Sequence, residues 1–282
     1  MKKLSLKQIR KFHDTVLNYY RISGRHDLPW RTNPSPYRVL VSEIMLQQTQ
    51  VSRVLIKFAE FMRAFPNLKS LAQSDQHRLL SVWKGLGYNR RALWLRDAAQ
   101  EIVRNYKGRI PHDPEKLEAL KGVGHYTARA IAAFAYDMPH VFIETNIRRI
   151  YLHHFFKNKE GVHDNDLLPL IEQTLPSYLK AKSSQLTARH WYWALMDYGS
   201  HLAKTIPNPN RNSKHYTKQS KFEGSDRQIR GKILELLLSS SYTKKSLAKS
   251  LEISGEKLDG ILATLDRDGF IVEKGSSVFI KT

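Results

Sequence analysis

The stretch "LEALKGVGHYTARAIAAFAY", residues 117–136, decides how the rest of the chain is interpreted. An apolar helical segment runs into a short hairpin, and a second helical segment begins directly after it. Glycines in such a hairpin let the backbone approach a phosphate closely, and the N-terminus of the following helix directs free N–H groups at it. The pattern predicts a helix-hairpin-helix that contacts a nucleic acid backbone without reading its sequence. The predicted contacts are Lys121, Gly122, Val123, Gly124 and His125. An ordinary tight turn between two helices is the alternative.

The balance of charge predicts a polyanionic partner. The 282 residues include 46 Lys and Arg against 26 Asp and Glu, a formal net charge of +20. Residues 222–282 hold 10 basic and 9 acidic side chains, so nearly all of the excess lies in residues 1–221. Together with the hairpin, this excess indicates double-stranded DNA, and a merely soluble basic protein is the alternative. The carbonyl groups of residues 120–125 also suit a monovalent cation that bridges to phosphate.

The composition excludes several kinds of site. The chain has no cysteine, which rules out disulfides, iron–sulfur clusters held by thiolates and cysteine zinc sites. We therefore expect no cofactor. Apolar stretches fall short of the roughly 18 residues of a membrane span, and the N-terminus follows helical spacing without a signal-peptide core. These features predict a cytoplasmic, nucleoid-associated monomer that does not engage a membrane.

Most of the chain follows helical periodicity. From about residue 36 to 202, apolar residues recur at spacings of three, four and seven with short polar breaks. Residues 204–221 then carry basic residues and two prolines but no acid, which is typical of a linker or a DNA-facing strap. From residue 222, three short helical segments precede a predicted hairpin of two strands, the order of a winged helix. We predict an all-α fold with domains at residues 1–221 and 222–282.

Two glutamates have surroundings that would push their pKa values apart. Glu43 shares an apolar helix face in "PYRVLVSEIMLQQ", where lost solvation would raise its pKa. Glu144 precedes a helix for which Thr145 or Asn146 is the predicted N-cap, and the positive helix end would favour its ionised form. A carboxyl pair of this kind is suited to breaking a glycosidic bond. A structural role for either glutamate stays open on periodicity alone.

Five ordered segments resemble the helix-hairpin-helix, endonuclease III-like superfamily of DNA glycosylases, and most closely its adenine-specific members. The segments are "LPWR", "PYRVLVSEIMLQQTQV", "GLGYNRRA", "LKGVGHYTARAI" and "ETNIRRI". The resemblance implies a two-lobed helical fold followed by the winged helix. One lobe would be a barrel of about residues 30–136, and the other would combine residues 1–29 with 137–221. The two glutamates would face each other across the cleft between the lobes.

The resemblance also implies roles for individual residues. Glu43 would protonate the departing base and then activate water, and Glu144 would stabilise the sugar cation, with Tyr126 and Asn146 completing the catalytic group. The base pocket would comprise Leu28, Trp30, Arg31 and Trp193, and the DNA contacts beyond the hairpin would be Gln48, Tyr88, Arg90 and Arg91. Tyr126 stands where strand-cutting relatives carry a nucleophilic lysine, which implies a monofunctional enzyme.

The resemblance implies excision of adenine opposite guanine or 8-oxoguanine. The alternatives are excision of another mispaired or damaged base, such as thymine or uracil opposite guanine, and a non-catalytic DNA-binding protein derived from this family.

The chain departs from the pattern of adenine glycosylases at four points. Glu144 stands where an aspartate is usual, which lengthens the side chain by about 1.5 Å. Ala203 stands where the first cysteine of the iron–sulfur loop would be, and Trp193 stands where the pocket usually has Gln or Glu. A winged helix follows in place of a domain that reads 8-oxoguanine. We expect this winged helix to contact either DNA or a protein partner, and its best basic patch is Lys244, Lys245 and Lys249.

Overall fold

The computed structural model describes residues 3–176, 186–218 and 221–281. The all-α prediction is confirmed, since helices make up most of this part of the chain and strands occur only near its end. None of its helices is long and apolar enough to cross a membrane. Contacts divide the chain into two compact units: Met1–Glu43 with Pro111–Ala119 and Val123–Lys218, and Ile44–Ile110 with Leu120–Gly122 and Gln219–Thr282. These units do not coincide with the domain boundaries expected from the sequence, which stay a prediction.

The first unit is a layered helical assembly with an aromatic interior. Its helices are α1 (Leu6–Ser23), α2 (Pro29–Thr32), most of α3 (Pro36–Leu46), and, after the residues of the second unit, α8 (Pro114–Glu118), α9 (His125–Tyr136), α10 (Thr145–Phe155), α11 (Asp164–Thr174) and α12 (Ala188–Thr205). A 3-10 turn, Pro209–Asn212, follows α12. Helices α1 and α10 both pack on α12.

Helix α1 shows how the sequence produces this packing. Ser5 and Gln8 form a capping box that satisfies free N–H groups at its start. The apolar residues Phe12, Val16 and Tyr20 are spaced by four, so they line one face and are buried. The Phe12 ring lies 5.2 Å from the ring of Tyr151 in α10. The N-terminal helix is therefore part of the core that supports α10 and α12.

The segment between α9 and α10 is anchored by aromatic stacking. Helix α9 ends at Asp137, which adopts a left-handed conformation with φ of 62°. Phe142 is buried and stacks on Tyr192 of α12 with ring centroids 4.0 Å apart. Stacked aromatic pairs of this kind hold the backbone firmly. This anchor lies two residues before Glu144 and sets where the chain enters α10.

The second unit combines a helical bundle with the C-terminal winged helix. Its helices before the winged helix are α4 (Val51–Ala64), α5 (Leu68–Ala72), α6 (Gln76–Trp83) and α7 (Arg90–Asn105). The fully buried side chains of Phe58, Phe61, Phe65 and Trp83 fill its interior. Helix α6 packs on both α4 and α7, and α5 packs on α7.

The winged helix has the predicted order of three helices and a hairpin. Its elements are α13 (Asp226–Ser239), β1 (Tyr242–Thr243), α14 (Lys244–Leu251), α15 (Gly255–Arg267), β2 (Ile271–Lys274) and β3 (Ser277–Ile280). The strands form an antiparallel sheet in the order β1-β3-β2. The short strand β1 was not predicted, because two residues give no alternating pattern. The buried side chains of Phe270 and Ile271 anchor the start of the hairpin.

Candidate active site

Helix α3 places Glu43 in an almost dry environment. Its side chain shares a face with Val39 and Leu40, and the residue is only 6% exposed. The hydroxyl of Tyr126 donates a hydrogen bond of 3.1 Å to Oε2 of Glu43. Burial raises the pKa of Glu43 to about 7; the Tyr126 hydrogen bond opposes this rise and the charge of Glu144 adds to it. Glu43 can therefore hold a proton near neutral pH and deliver it to a bound group.

Glu144 is itself the N-cap of α10. Its Oε1 accepts hydrogen bonds of 2.7 Å from the backbone N–H groups of both Asn146 and Ile147. The amide of Asn146 donates a longer bond of 3.3 Å to the other oxygen, Oε2. The prediction that Thr145 or Asn146 caps this helix is wrong, because Glu144 has extended backbone angles and a side chain long enough to fold back over the first turn.

The protonation of Glu144 reflects two opposing effects. Burial raises the pKa of Glu144 above its ordinary value, whereas the two backbone hydrogen bonds and the charges of Arg149 and Arg148 act to lower it. The helix end favours the ionised form through these two hydrogen bonds, as expected, but the burial that opposes it was not visible in the sequence. Glu144 nevertheless accepts three hydrogen bonds where Glu43 accepts one, so we infer that Glu144 ionises first.

A buried arginine–carboxylate pair lies within electrostatic range of Glu43. Arg31 donates to Asp197 through both terminal nitrogens, at 2.7 and 2.9 Å, and Arg25 donates to the same carboxylate. Burial alone would raise the pKa of Asp197, but the bonds and charges of Arg31 and Arg25 hold it below its ordinary value. The positive charge of Arg31 also opposes the rise in the pKa of Glu43. Arg31 is thus a fixed cation at the site.

Asp197 was missed by the sequence reasoning. It lies four residues after Trp193 on an otherwise apolar face of α12, and it is 2% exposed. A carboxylate on such a face almost always has a cationic partner, and this signal would have pointed to it.

The predicted pocket residues are all buried in the first unit. Leu28, Trp30 and Trp193 are each at most 7% exposed. The guanidinium carbon of Arg31 lies 5.2 Å from the centre of the Trp193 ring, which places cation and ring in contact. Trp193 therefore contributes an apolar wall beside Arg31 and offers no amide or carboxylate to a base. That Leu28 and Trp30 line the same pocket stays a prediction.

A set of polar contacts braces the loop that carries Glu144. Nη1 of Arg149 donates to Oδ1 of Asn146 at 2.6 Å and to the carbonyl of Gly199 at 2.9 Å. Gly199 must lack a side chain, because a Cβ there would lie 2.4 Å from the carbonyl oxygen of Asn146. The amide of Asn210 donates to the carbonyl of Thr145 at 3.0 Å. Arg149, Gly199 and Asn210 were not predicted, although the spacing of three residues between Asn146 and Arg149 on one helix was a usable signal.

The segment after α12 offers no thiolate to an iron–sulfur cluster. Ala203 lies within α12, and the chain continues into the 3-10 turn that contains Asn210. This turn packs on α10 and pairs through the backbone of Asn212 and Lys214 with Val162. The residues present therefore do not fit such a cluster. In the described part of the chain, no three His, Asp or Glu side chains are grouped so that they could hold a metal.

In the second unit, two exposed turns carry the predicted wedge residues. Gln48 and Tyr88 both have positive φ, 55° and 46°, which is uncommon for residues other than glycine. Arg91 is only 4% exposed and joins the two turns: it donates to the carbonyls of Gln47 and Gly87. The guanidinium of Arg91 is directed inward, so a DNA contact by Arg91 would have to compete with these bonds and stays a prediction. Arg91 positions the two turns.

Arg90 also has a protein partner. Its guanidinium pairs with Asp268 of the winged helix and lies 5.7 Å from the ring of Trp94. A DNA contact by Arg90 would have to compete with this pair and stays a prediction.

The hairpin residues belong partly to each unit. Gly122 has φ of 77°, and a Cβ there would lie 2.9 Å from the Cβ of Trp94, so glycine is required. Its carbonyl accepts a hydrogen bond of 3.2 Å from the Gln47 amide. Lys121, Gly124 and His125 are exposed, whereas the side chain of Val123 is buried. These exposed groups are accessible to a phosphate, and the predicted phosphate contact stays a prediction. A cation at the hairpin carbonyls also stays a prediction.

Comparisons with known proteins identify relatives over most of the chain. A family model described as "HhH-GPD superfamily base excision DNA repair protein" matches residues 41–173. The adenine DNA glycosylase of Mycobacterium tuberculosis (strain CDC 1551 / Oshkosh) is 34% identical over 252 residues, 83% of this chain and 81% of that protein. The adenine DNA glycosylase of Buchnera aphidicola subsp. Baizongia pistaciae is 34% identical over 201 residues, 71% of this chain. The chain spans 55% of that Buchnera protein.

A thymine/uracil-DNA glycosylase is also similar. The protein of Pyrobaculum aerophilum is 34% identical over 141 residues, 50% of this chain and 61% of its own length. Among solved structures, a thermostable thymine-DNA glycosylase superposes with a TM-score of 0.59 at 24% identity, covering 69% of this chain and 87% of that one. A non-covalent endonuclease III–DNA complex superposes with a TM-score of 0.56 at 15% identity, covering 75% of this chain and 97% of that one. These two likenesses show a common fold.

Proposed function

The chain belongs to the HhH-GPD superfamily of base excision DNA repair proteins, and we propose that it is a DNA glycosylase that removes a mispaired base. The observation that carries the proposal is the pair of Glu43, buried and able to hold a proton, and Glu144, held by backbone N–H groups at the start of α10. The substrate we propose is adenine opposite guanine or 8-oxoguanine, because the relatives that match most of the chain are adenine DNA glycosylases.

Double-stranded DNA is the partner we propose, and the protein acts on it as a cytoplasmic, nucleoid-associated monomer. The exposed backbone of the hairpin and the net charge of +20 support binding to the phosphate backbone. The target nucleotide must leave the stack, because its glycosidic bond is out of reach within the duplex. Gln48 and Tyr88, exposed on turns fixed by Arg91, fill or wedge the opened stack.

The chemical step is hydrolysis of the bond between C1′ of the sugar and the base nitrogen. Protonated Glu43 gives its proton to the base as the bond breaks, and the bonding electron pair leaves with the base. The carboxylate of Glu144 stabilises the positive charge that develops on the sugar. Glu43, now ionised, takes a proton from the water that attacks C1′. The products are a free base and an abasic site, and Glu43 is protonated again.

Tyr126 supports a monofunctional reaction. Burial and the charge of Glu43 raise the pKa of Tyr126 well above its ordinary value, so it stays a phenol. A phenol donates a hydrogen bond to Glu43 and cannot form the imine that a lysine would form with the opened sugar. We therefore propose that the enzyme does not cut the strand.

A panel of duplexes tests the proposal. Adenine is placed opposite guanine, 8-oxoguanine or cytosine, and thymine or uracil is placed opposite guanine. After incubation, alkali converts abasic sites to strand breaks, whereas a sample without alkali reports strand cutting by the protein itself. We expect breaks only after alkali, and only in the duplexes with adenine opposite guanine or 8-oxoguanine. Tight binding to every duplex without a break would support a non-catalytic DNA-binding protein instead.

A second candidate is excision of thymine or uracil opposite guanine. The observation that favours it is Trp193, whose buried ring contacts Arg31 and which has no amide or carboxylate to pair with adenine. The Pyrobaculum relative bears the name of this activity. Excision of thymine or uracil in the duplex panel, with adenine left intact, would establish this candidate over the first.

A further inference from the structure

The winged helix is docked on α6 and α7 through buried polar contacts. The amide of Gln76, which is 4% exposed, donates to the carbonyls of Gly269 and Phe270 at 2.8 and 3.2 Å. Asp268 lies beside this turn and pairs with both Arg90 of α7 and Arg230 of α13. Buried amides and carboxylates are costly unless satisfied, so these contacts define one relative position. The winged helix is therefore a fixed part of the second unit.

This docking brings an arginine of the winged helix to the predicted wedge residue. Arg227 lies in the first turn of α13, and its Nη1 donates a hydrogen bond of 2.9 Å to the hydroxyl of Tyr88. A guanidinium is a strong donor and holds a phenol in a defined direction. The two residues are 139 positions apart in sequence, so only the docked arrangement brings them together.

Tyr88 is exposed, has an uncommon backbone conformation and is supported by neighbouring side chains. The residue is 37% exposed although it is aromatic, and its backbone has φ of 46°. Arg91 supports the turn that carries Tyr88. Its guanidinium donates to the carbonyls of Leu86 and Gly87 and lies 5.5 Å from the Tyr88 ring. Residues held in such uncommon backbone conformations cluster at functional sites. Arg227 holds the other end of the side chain, because it donates a hydrogen bond to the Tyr88 hydroxyl.

We propose that Arg227 is a positioning residue for opening the base stack. It holds the Tyr88 ring by its hydroxyl in the direction needed to fill the gap that the flipped nucleotide leaves. The winged helix thus takes part in base excision through Tyr88. This inference rests on the proposed function, since a filled gap matters only if a nucleotide is flipped.

A double-mutant cycle tests whether Arg227 acts through the hydroxyl of Tyr88. Single-turnover excision and duplex affinity are measured for the full chain and for Arg227→Ala, Tyr88→Phe and the double variant. The substrate is the duplex from which the wild type excises a base fastest. We expect each single variant to excise about tenfold more slowly, with affinity within about twofold, because one charge-assisted hydrogen bond is lost. The double variant should be no slower than the slower single variant.

Control variants separate positioning from folding. Lys232→Ala removes the same charge from an exposed position of the same helix and should leave excision unchanged. Arg227→Lys keeps a cationic donor and should restore most of the rate. Independent, multiplying losses in the double variant would overturn the proposal, as would wild-type excision by Arg227→Ala.

A fluorescent base separates failure of this inference from failure of the proposed function. 2-Aminopurine placed at the target position brightens when it leaves the stack, whether or not its bond is cleaved. Arg227→Ala should reduce this brightening at saturating protein, and Lys232→Ala should not. If the wild type opens the stack but excises nothing, the proposed function fails while the role of Arg227 is still decided. If the wild type causes no brightening, the role of Arg227 is rejected.

Discussion

Glu144 uses its additional methylene to cap its own helix. The side chain folds back so that one oxygen meets the N–H groups of Asn146 and Ile147, both at 2.7 Å. Asp, Asn, Ser and Thr usually fill this position, because their shorter side chains reach the same groups directly. The longer side chain therefore keeps both the cap and the negative charge. The cap and the proposed catalytic role are compatible in one residue.

Two substitutions at Glu144 separate charge from capping. In Glu144→Gln the amide oxygen still accepts the backbone hydrogen bonds, but the charge that stabilises the sugar cation is lost, so excision should fall by at least about 100-fold. In Glu144→Asp both functions are kept with a shifted oxygen, so excision should stay within about tenfold. Single-turnover rates measure both, and thermal unfolding should show little change for either. Undiminished excision by the Gln variant would contradict the role of the charge.

The rate of excision should fall at alkaline pH, because Glu43 loses its proton there. Its acid form is the reactive one, and burial raises its pKa to about 7. The excision rate should therefore fall as the pH rises through about 7. Tyr126→Phe removes a hydrogen bond that stabilises the carboxylate and lowers this pKa, so the fall should move to higher pH. Single-turnover rates from pH 5 to 9 test the shift, and a fall that moves to lower pH would contradict it.

Glu43 should also make the folded protein less stable at alkaline pH. The pKa of Glu43 is raised from 4.5 in the unfolded chain to about 7 in the folded protein. The folded state therefore binds the proton more tightly, and its free energy of unfolding decreases as the pH rises between these values. Glu43→Gln removes the effect and should be more stable than wild type by up to about 3 kcal/mol at pH 8, but not at pH 4. Denaturant unfolding at both pH values measures it, and equal stabilities at pH 8 would contradict it.

At the scale of elements, α10 is held from several sides. Helix α12 meets it closely at Gly199, and the 3-10 turn Pro209–Asn212 contacts its first residues through Asn210. The start of α10 carries Glu144, so these neighbours fix the position of one proposed catalytic group to within a small distance. A displacement of about 1 Å at a catalytic group can slow a reaction about 100-fold. The turn thus performs a supporting role that does not depend on cysteine.

Two asparagines of this turn provide a matched test. Asn210→Ala removes the hydrogen bond to the carbonyl of Thr145 and should slow excision about tenfold, with a loss of about 1 kcal/mol in stability. Asn212→Ala changes the same residue type in the same turn. Asn212 accepts a hydrogen bond from Val162 through its backbone carbonyl, which the substitution keeps, so both quantities should stay near wild type. Single-turnover rates and unfolding curves compare the two. Equal effects of both substitutions would indicate a general loss of the turn.

Sequence reasoning succeeded where periodicity and local spacing carry the information. The apolar face that buries Glu43, the hairpin at Gly122 and the order of the winged-helix elements all follow from short-range patterns. It failed where partners come from distant parts of the chain. Asp197 meets Arg31 across 166 positions, and Arg91 meets the Gln47 turn across 44. A positive side chain looks alike in the sequence whether it faces DNA or the interior.

At the scale of the whole molecule, the positive charge and the proposed catalytic residues lie in the same part of the chain. The excess of positive charge lies in residues 1–221, together with the two glutamates and the hairpin, whereas residues 222–282 are nearly neutral. A nearly neutral winged helix gains little from phosphate attraction, which agrees with its docking on α6 and α7 through specific contacts. In this account DNA binding comes from the basic region, and the winged helix acts on excision through Tyr88.

The central claim is that buried Glu43 donates the proton that releases the base. The most direct measurement compares wild type with Glu43→Gln on one duplex that carries adenine opposite 8-oxoguanine, recording affinity and single-turnover release of adenine together. The amide keeps the shape of the side chain but has no proton to donate. We expect equal affinity within about threefold and release slowed by at least about 1,000-fold. Release of adenine by Glu43→Gln at the wild-type rate would contradict it.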